Sequence, residues 1–301
     1  MRISFNEVRN NKIKSYVLIF FFIIIIGVLG SIIGLIYNNI YLGLILSMGA
    51  GLIYSMFVFK SGDKMILTMS GAKPVTKKEF PHLFHTIEGL QISAGLKTTP
   101  KAYVIKDTAL NAFATGRDPE HSSITVTTGL MDKLNREELE GVIAHEMSHI
   151  KNYDIRFMML TTVLIGIVTL LSDFILRSFL WGGMGRRRNN DNNNMTLILI
   201  AIGLLLAILT PIIGEMIRLA ISRKREYMAD ASGATLTRYP LGLANALKKI
   251  SQDPDPLVEK ANKATAHLFI STPFGKKKSL MGKLFSTHPP IQDRIKKLEE
   301  M

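Results

Sequence analysis

Two histidines four residues apart, His145 and His149, with Glu146 directly after the first, are the residues of this chain best suited to chemistry. Positions i and i+4 share one face of an α-helix, so both imidazoles can aim at a single ion. Zinc takes neutral imidazole nitrogens at about 2.0 to 2.1 Å, and the carboxylate beside the first histidine falls next to the open coordination position. There Glu146 can accept a proton from metal-activated water, whose pKa the ion lowers to roughly 7, so that a nucleophile exists at neutral pH. The chemistry implied is metal-dependent hydrolysis of a peptide bond.

A helix must carry these residues, and the local sequence supplies one. Asn135 with Glu138 three positions on makes a capping box, and Leu139, Val142, Ile143, Met147 and Ile150 form an apolar stripe at helical spacing. The extended zinc signature of the metzincins wants a glycine and a third histidine further along. Asn152 and Ile155 stand there instead, so the third ligand comes from another part of the chain.

Composition points to a membrane. The 301 residues carry 37 Lys and Arg against 24 Asp and Glu, a formal charge of +13, yet 47% are hydrophobic. Between Lys14 and Lys60 no residue is charged, and Asn38-Asn39 divides that stretch into halves each long enough for the roughly 20 residues a bilayer crossing needs. Tyr16 to Tyr37 and Ile40 to Phe59 therefore read as a transmembrane hairpin, a buried soluble hairpin being the alternative. Phe157 to Trp181 and Met195 to Leu219 form a second apolar pair, with Asp173 and Arg177 in the third segment and Pro211 in the fourth.

Lys and Arg flank the segments on one side: Arg2, Arg9, Lys12 and Lys14 before the first, Lys60, Lys64, Lys73, Lys77 and Lys78 after the second, Arg223 to Arg225 after the fourth. The positive-inside rule puts all of them in the cytosol. Arg186, Arg187 and Arg188 disagree, since they fall outside if residues 157–219 fully cross; either that loop is outvoted or the hairpin is partly re-entrant. Zero cysteines suits a reducing compartment. The basic runs beside spans serve as anchors for acidic lipid headgroups, and no aromatic-interleaved basic patch argues for a nucleic-acid partner.

The second hairpin returns the chain to the same membrane face, so residues 60–156 and 220–301 can build one domain. His149 lies eight residues before Phe157 and Glu226 seven after Leu219. Helices continuing out of the bilayer then lift both side chains roughly 10 to 12 Å above the interface, which lets Glu226 reach the histidine pair. Glu215, nearer the bilayer, is the rival ligand. Asp230, one turn beyond Glu226, can accept the free ring proton of a ligating histidine and set its tautomer.

Taken together, these residues resemble the HtpX-type membrane zinc metalloproteases, relatives of the prenyl-protein endoproteases and of stress-activated mitochondrial inner-membrane proteases. The likeness runs along nearly the whole chain: two amino-terminal spans, His145-Glu146-Met147-Ser148-His149 leading into a third, and Arg225-Glu226-Tyr227-Met228-Ala229-Asp230 after a fourth. It implies one zinc ion per chain held by His145, His149 and Glu226, with Asp230 supporting a ligand. It also implies a substrate-binding strand at Asn111-Ala112-Phe113-Ala114-Thr115-Gly116, with Asn111 and Ala112 as contacts. His288-Pro289-Pro290 with Arg294 resembles the family's carboxy-terminal element, in which His288 stabilises the oxyanion and Arg294 orders the site by pairing with Asp230 or another carboxylate.

The expected architecture is a mainly α integral membrane protein: a transmembrane hairpin over residues 1–59, the first part of the catalytic domain over 60–156, a second hairpin over 157–219, and the rest of the domain over 220–301. That domain is expected to be α+β and zincin-like, with a small antiparallel meander from Ala102 to Asp107, Asn111 to Ala114 and Ser122 to Thr128, whose exposed edge takes up a peptide as an extra strand. The function expected is a multi-pass cell-membrane zinc endopeptidase whose cytosolic site cuts misfolded or damaged membrane proteins as quality control. The alternative is a non-catalytic membrane adaptor or transporter component with a structural metal. Structural zinc is normally closed by four ligands rich in cysteine, which this chain lacks.

Overall fold

The computed structural model describes residues 2–36, 38–164, 166–167, 223–253 and 289–301. The chain opens with two long helices, α1 (Arg2–Ile36) and α2 (Ile40–Met69). Asn38 sits in the left-handed region at φ 54, and the Asn39 side chain accepts from Leu42 N to start α2. Small residues let the pair close: a Cβ on Gly43 would meet the Gly30 carbonyl oxygen at 2.3 Å, and one on Gly34 would meet Asn39 O at 2.6 Å. Faces turned away from the partner helix are apolar and exposed, with Phe20, Ile45, Leu46 and Ile53 prominent, as a lipid-facing surface requires.

Among the described residues, Val8–Ser31 and Ile40–Met69 are long and apolar enough to cross a bilayer. The expected third and fourth segments lie outside the described residues apart from 157–164 and 166–167, which are helical. At 1.5 Å per residue α1 and α2 reach roughly 50 and 45 Å, against a hydrocarbon core of about 30 Å. The excess matters: Asn11, Leu18 and Phe22 of α1 and Val58, Ile66 and Leu67 of α2 pack against the remainder of the chain.

A four-stranded sheet follows, made of β1 (Lys73–Pro74), β2 (Lys101–Ile105), β3 (Ala112–Asp118) and β4 (His121–Thr127) in the order β1-β2-β4-β3. The expected antiparallel meander is corrected here: β2 pairs parallel with β4, and only β1–β2 and β3–β4 are antiparallel. The cause is a crossover. Residues 106–111 carry the chain past the β4 position before the tight β3–β4 turn brings it back into the middle. Thr127 holds that crossover, its Oγ1 accepting from Asn111 N at 3.0 Å and donating to Ala109 O at 2.6 Å. Gly129 is forced by the same packing, since a Cβ there would strike the Thr108 carbonyl.

Alternation of side chains across the pleat gives the sheet two functions. Ala102, Val104, Ala112, Ala114, Ile124 and Val126 face a core shared with α3 (Pro81–Ala94) and the helices beyond it. Tyr103, Ile105 and Phe113 face the opposite way, onto α1, α2 and the 157–164 helical run. The sheet thus joins one core, shared with α3, to a second core formed with the long apolar helices.

Behind β4 come the short α4 (Thr128–Lys133) and then α5 (Arg136–Lys151), the central helix. The Asn135 side chain accepts from Glu138 N at 2.9 Å while the Glu138 carboxylate accepts from Asn135 N at 2.8 Å, so both orphan donors at the helix start are satisfied. From Gly141 to Ile150 every residue of α5 is buried. Packed against it are α6 (Arg223–Thr237) and α7 (Pro240–Gln252), and α8 (Ile291–Glu299) lies on those two, burying Arg294, Ile295 and Leu298 from one face.

Candidate metal centre

On α5 the two histidines stand one turn apart with ring planes 87° to one another and their Nε2 atoms 3.2 Å apart. Glu226, in the first turn of α6, brings Oε1 to 3.6 Å from His149 Nε2 and Oε2 to 3.9 Å from His145 Nε2. All three residues are buried. Close approach of the two helices makes this possible: a Cβ on Gly233 of α6 would lie 3.0 Å from the backbone nitrogen of His145, so a larger residue there would push α6 away.

The opposite nitrogen of each ring is engaged by a carboxylate. His145 Nδ1 donates to Asp230 Oδ1 at 2.9 Å, and His149 Nδ1 donates to Asp154 Oδ2 at 3.0 Å. These contacts select the tautomer in which both Nε2 atoms carry lone pairs pointing at a common point beside the Glu226 carboxylate. Three electron-rich atoms converging in a buried space repel one another unless a cation lies among them. The two Nε2 atoms stand 3.2 Å apart, close to the roughly 3.3 Å between ligands of a tetrahedral zinc with bond lengths of about 2.05 Å, and the Glu226 carboxylate lies within reach of both. His145, His149 and Glu226 are also the group whose ligand atoms all lie within 4.8 Å of one another.

The supporting carboxylates are themselves held by cations. Arg294 of α8, almost fully buried, donates from Nε and Nη2 to the two oxygens of Asp230 at 2.8 and 2.7 Å, and its Nη1 lies 3.6 Å from Glu226 Oε2. Burial by itself would raise the Asp230 pKa, but the charge of Arg294 and hydrogen bonds from His145 and Arg294 pull it down to about 2. On the other arm, burial by itself would lower the His149 pKa. The Asp154 hydrogen bond and the negative charges of Glu226, Asp154 and Glu146 outweigh it and lift the metal-free ring to about 9.

Glu146 is buried on α5 beside the histidines, and its charge is felt by both His149 and Arg294. Asn111 and Ala112 lie at the start of β3, the terminal strand, which packs on α5. Both are buried. Asn111 O accepts from Thr127 N at 3.0 Å, and the Asn111 side-chain oxygen accepts from Ala112 N at 2.9 Å. His288 and the rival ligand Glu215 lie outside the described residues. Reasoning from the sequence missed Asp154. The available signal was an aspartate just past the end of α5, five residues after His149, where a turn can point it back at the ring.

Comparison with known proteins gives the family. The model of peptidase family M48 matches residues 77–301. A protease HtpX homolog from Caldanaerobacter subterraneus subsp. tengcongensis is 45% identical over 291 residues, covering 97% of this chain and 95% of the relative. Homologs of the same description from Dictyoglomus thermophilum, at 44% identity over 99% of this chain and 94% of its own length, and from Listeria monocytogenes, at 43% over 99% of each, are equally extensive. The crystal structure of S. mikatae Ste24p superposes with a TM-score of 0.51 and 20% identity, covering 98% of this chain and 67% of that one, a likeness of fold. A match of this breadth, to relatives alike along their entire length, makes the chain a member of peptidase family M48.

Proposed function

We propose that this protein is a zinc endopeptidase of the cell membrane that cuts misfolded or damaged membrane proteins at their cytosolic ends. The observation that carries the reading is the convergence of His145 Nε2, His149 Nε2 and the Glu226 carboxylate, with both ring protons turned away onto Asp230 and Asp154. A zinc ion held there would supply a Lewis acid able to polarise a carbonyl and to lower the pKa of water to roughly 7. His145, His149 and Glu226 would hold it, and a set of three protein donors without cysteine is that of a catalytic site rather than of a closed structural one.

Around that position the chain's own residues divide the work. Glu146 accepts the proton released from water and passes it to the departing amine. Asp230 and Asp154 fix the ligand rings, and Arg294 neutralises Asp230 so that it stays ionised. His288, preceding Pro289 at the entry to α8, donates to the developing oxyanion. The β3 edge receives the substrate as an added strand, with Asn111 and Ala112 at its start. In an antiparallel ladder paired at Asn111 and Thr127, Ala112 and Ala114 turn their peptide groups away from β4, the Ala112 N–H being held by the Asn111 side chain. Main-chain pairing of this kind selects extended segments over sequence, which suits a quality-control enzyme.

The domain arrangement proposed is four spans, 157–219 supplying the second pair, with 60–156 and 220–301 joined on the cytosolic face. The basic flanks and the two apolar helices support it. The test compares purified wild type with Glu146→Gln in proteoliposomes, measuring zinc content and cleavage of a model membrane protein. Zinc should remain stoichiometric while the rate falls about 100- to 10,000-fold. Cleavage by the variant at the wild-type rate would sink the assignment.

A further inference from the structure

The carboxylate behind His149 does not stand alone. Asp154 follows a turn in which Asn152 ends α5 and Tyr153 takes φ 61, a left-handed conformation that a bulky residue adopts only when its surroundings enforce it. Those surroundings come from α1. Asn11, wholly buried, donates its side-chain amide to Asn152 O at 3.0 Å and to Asp154 Oδ1 at 2.7 Å. Its neighbour Lys12 lies over the Tyr153 ring, 4.4 Å from the centroid, while Arg156 stacks on the same ring at 5.0 Å. From α6, Arg225 reaches both Asp154 Oδ1 at 3.3 Å and Asn11 Oδ1 at 3.4 Å, one residue before the ligand Glu226.

We infer that Asn11, at the base of the amino-terminal membrane helix, is a positioning residue for the metal ligand His149, acting through Asp154. The inference rests on the zinc reading of the site. A carboxylate hydrogen-bonded to a ligating imidazole sets the ring's direction and basicity, and groups of this kind typically alter metal affinity 10- to 100-fold when lost. Asp154 can hold one orientation because its second oxygen is fixed by the Asn11 amide. Without that donor the turn is free to relax out of its unfavourable backbone state and Asp154 swings away from the ring.

The site therefore has two supporting arms of different origin. His145, Asp230 and Arg294 form one, built from the soluble domain. His149, Asp154, Asn11 and Arg225 form the other, and it ends in a helix whose continuation crosses the membrane. The metal centre is complete only when α1 is docked, so insertion of the first span and competence to hold metal are coupled.

The experiment uses full-length protein in nanodiscs. Zinc affinity is measured by competition with a chromogenic chelator, and the melting temperature of the metal-free protein is measured alongside. Asn11→Leu keeps the branched outline, at a somewhat larger volume, and removes the amide; its zinc affinity should fall about 10-fold or more. Leu18→Ala, a buried change on the same helix among residues of the membrane-side cluster, is the structural comparison. It should lower the melting temperature and leave zinc affinity within about twofold. Should Asn11→Leu not accumulate, Asn11→Ala takes its place against the same comparison. Unaltered affinity in the folded Asn11 variant, or an equal loss in Leu18→Ala, overturns the inference. Wild-type protein that takes up no divalent metal overturns the zinc reading and this inference together, whereas normal wild-type uptake with an unaffected Asn11 variant removes this inference alone.

Discussion

Arg294 and Asp230 form a two-pronged ion pair at 2.8 and 2.7 Å, buried at 1% and 2% exposure, between the carboxy-terminal helix and the helix bearing Glu226. Sixty-four residues separate them in sequence. The pair locks α8 onto the site, because neither charge has water to fall back on. Paired geometry of this kind is the form in which a buried ion pair repays its desolvation.

Breaking that pair from one side leaves an uncompensated buried charge. Arg294→Met should destabilise the fold by about 3 to 5 kcal/mol and weaken zinc binding, since Asp230 then loses the partner that keeps it ionised against His145. Arg294→Met combined with Asp230→Asn should recover part of the stability and none of the zinc affinity. A double variant no more stable than the worse single one counts against this account; denaturation midpoints and chelator competition measure both.

Zinc uptake should release protons. The metal-free His149 ring, with its pKa raised to about 9, is protonated at neutral pH and must lose that proton to bind metal. Apparent zinc affinity should accordingly rise with pH, by about tenfold per unit from this group, and level off near pH 9. The sign for the metal-free fold is opposite. A raised folded pKa adds stability that is fully present below the unfolded value near 6.5 and is lost as pH rises through 9. Titration calorimetry in buffers of different ionisation enthalpy reads the proton count, and Asp154→Asn should shrink it.

Glu226→Gln conserves shape and removes the anionic ligand. Zinc affinity should drop more than about 100-fold while the metal-free protein stays folded, the ligand's loss exceeding that of any residue behind it. Full stoichiometric zinc in the purified variant after dialysis would remove Glu226 from the ligand set.

Gly233→Leu tests the close approach of α6 to α5. With 3.0 Å between a Cβ and the His145 backbone, a branched side chain must push the helices apart, carrying Glu226 and Asp230 with it. Overpacking should cost about 1 to 3 kcal/mol, and the zinc content should fall even though no ligand is changed. Metal content equal to wild type would show that the helix spacing is not what sets the site.

Much of this protein is written in local patterns. The His145, Glu146 and His149 spacing and the Asn135 and Glu138 capping box each depend on residues within a few turns of one another, and the uncharged stretch from Lys14 to Lys60 is continuous in sequence, so the primary structure alone determines the helix that bears the histidine pair and the two long apolar helices. The Glu226 and Asp230 face is legible too, because a four-residue period on one helix needs no partner to be recognised. Sheet order was not legible: whether β4 lies beside β2 depends on where the 106–111 crossover packs, and period-two alternation looks alike in parallel and antiparallel strands. Nor was Asp154 or its link to Asn11, 143 residues away, since a side chain's hydrogen-bond partner is decided by which elements the hydrophobic core brings together. Ligand types are a property of the chain; the angles at which they are held belong to the packed structure, where burial removes water and leaves each charge only the partner the fold provides.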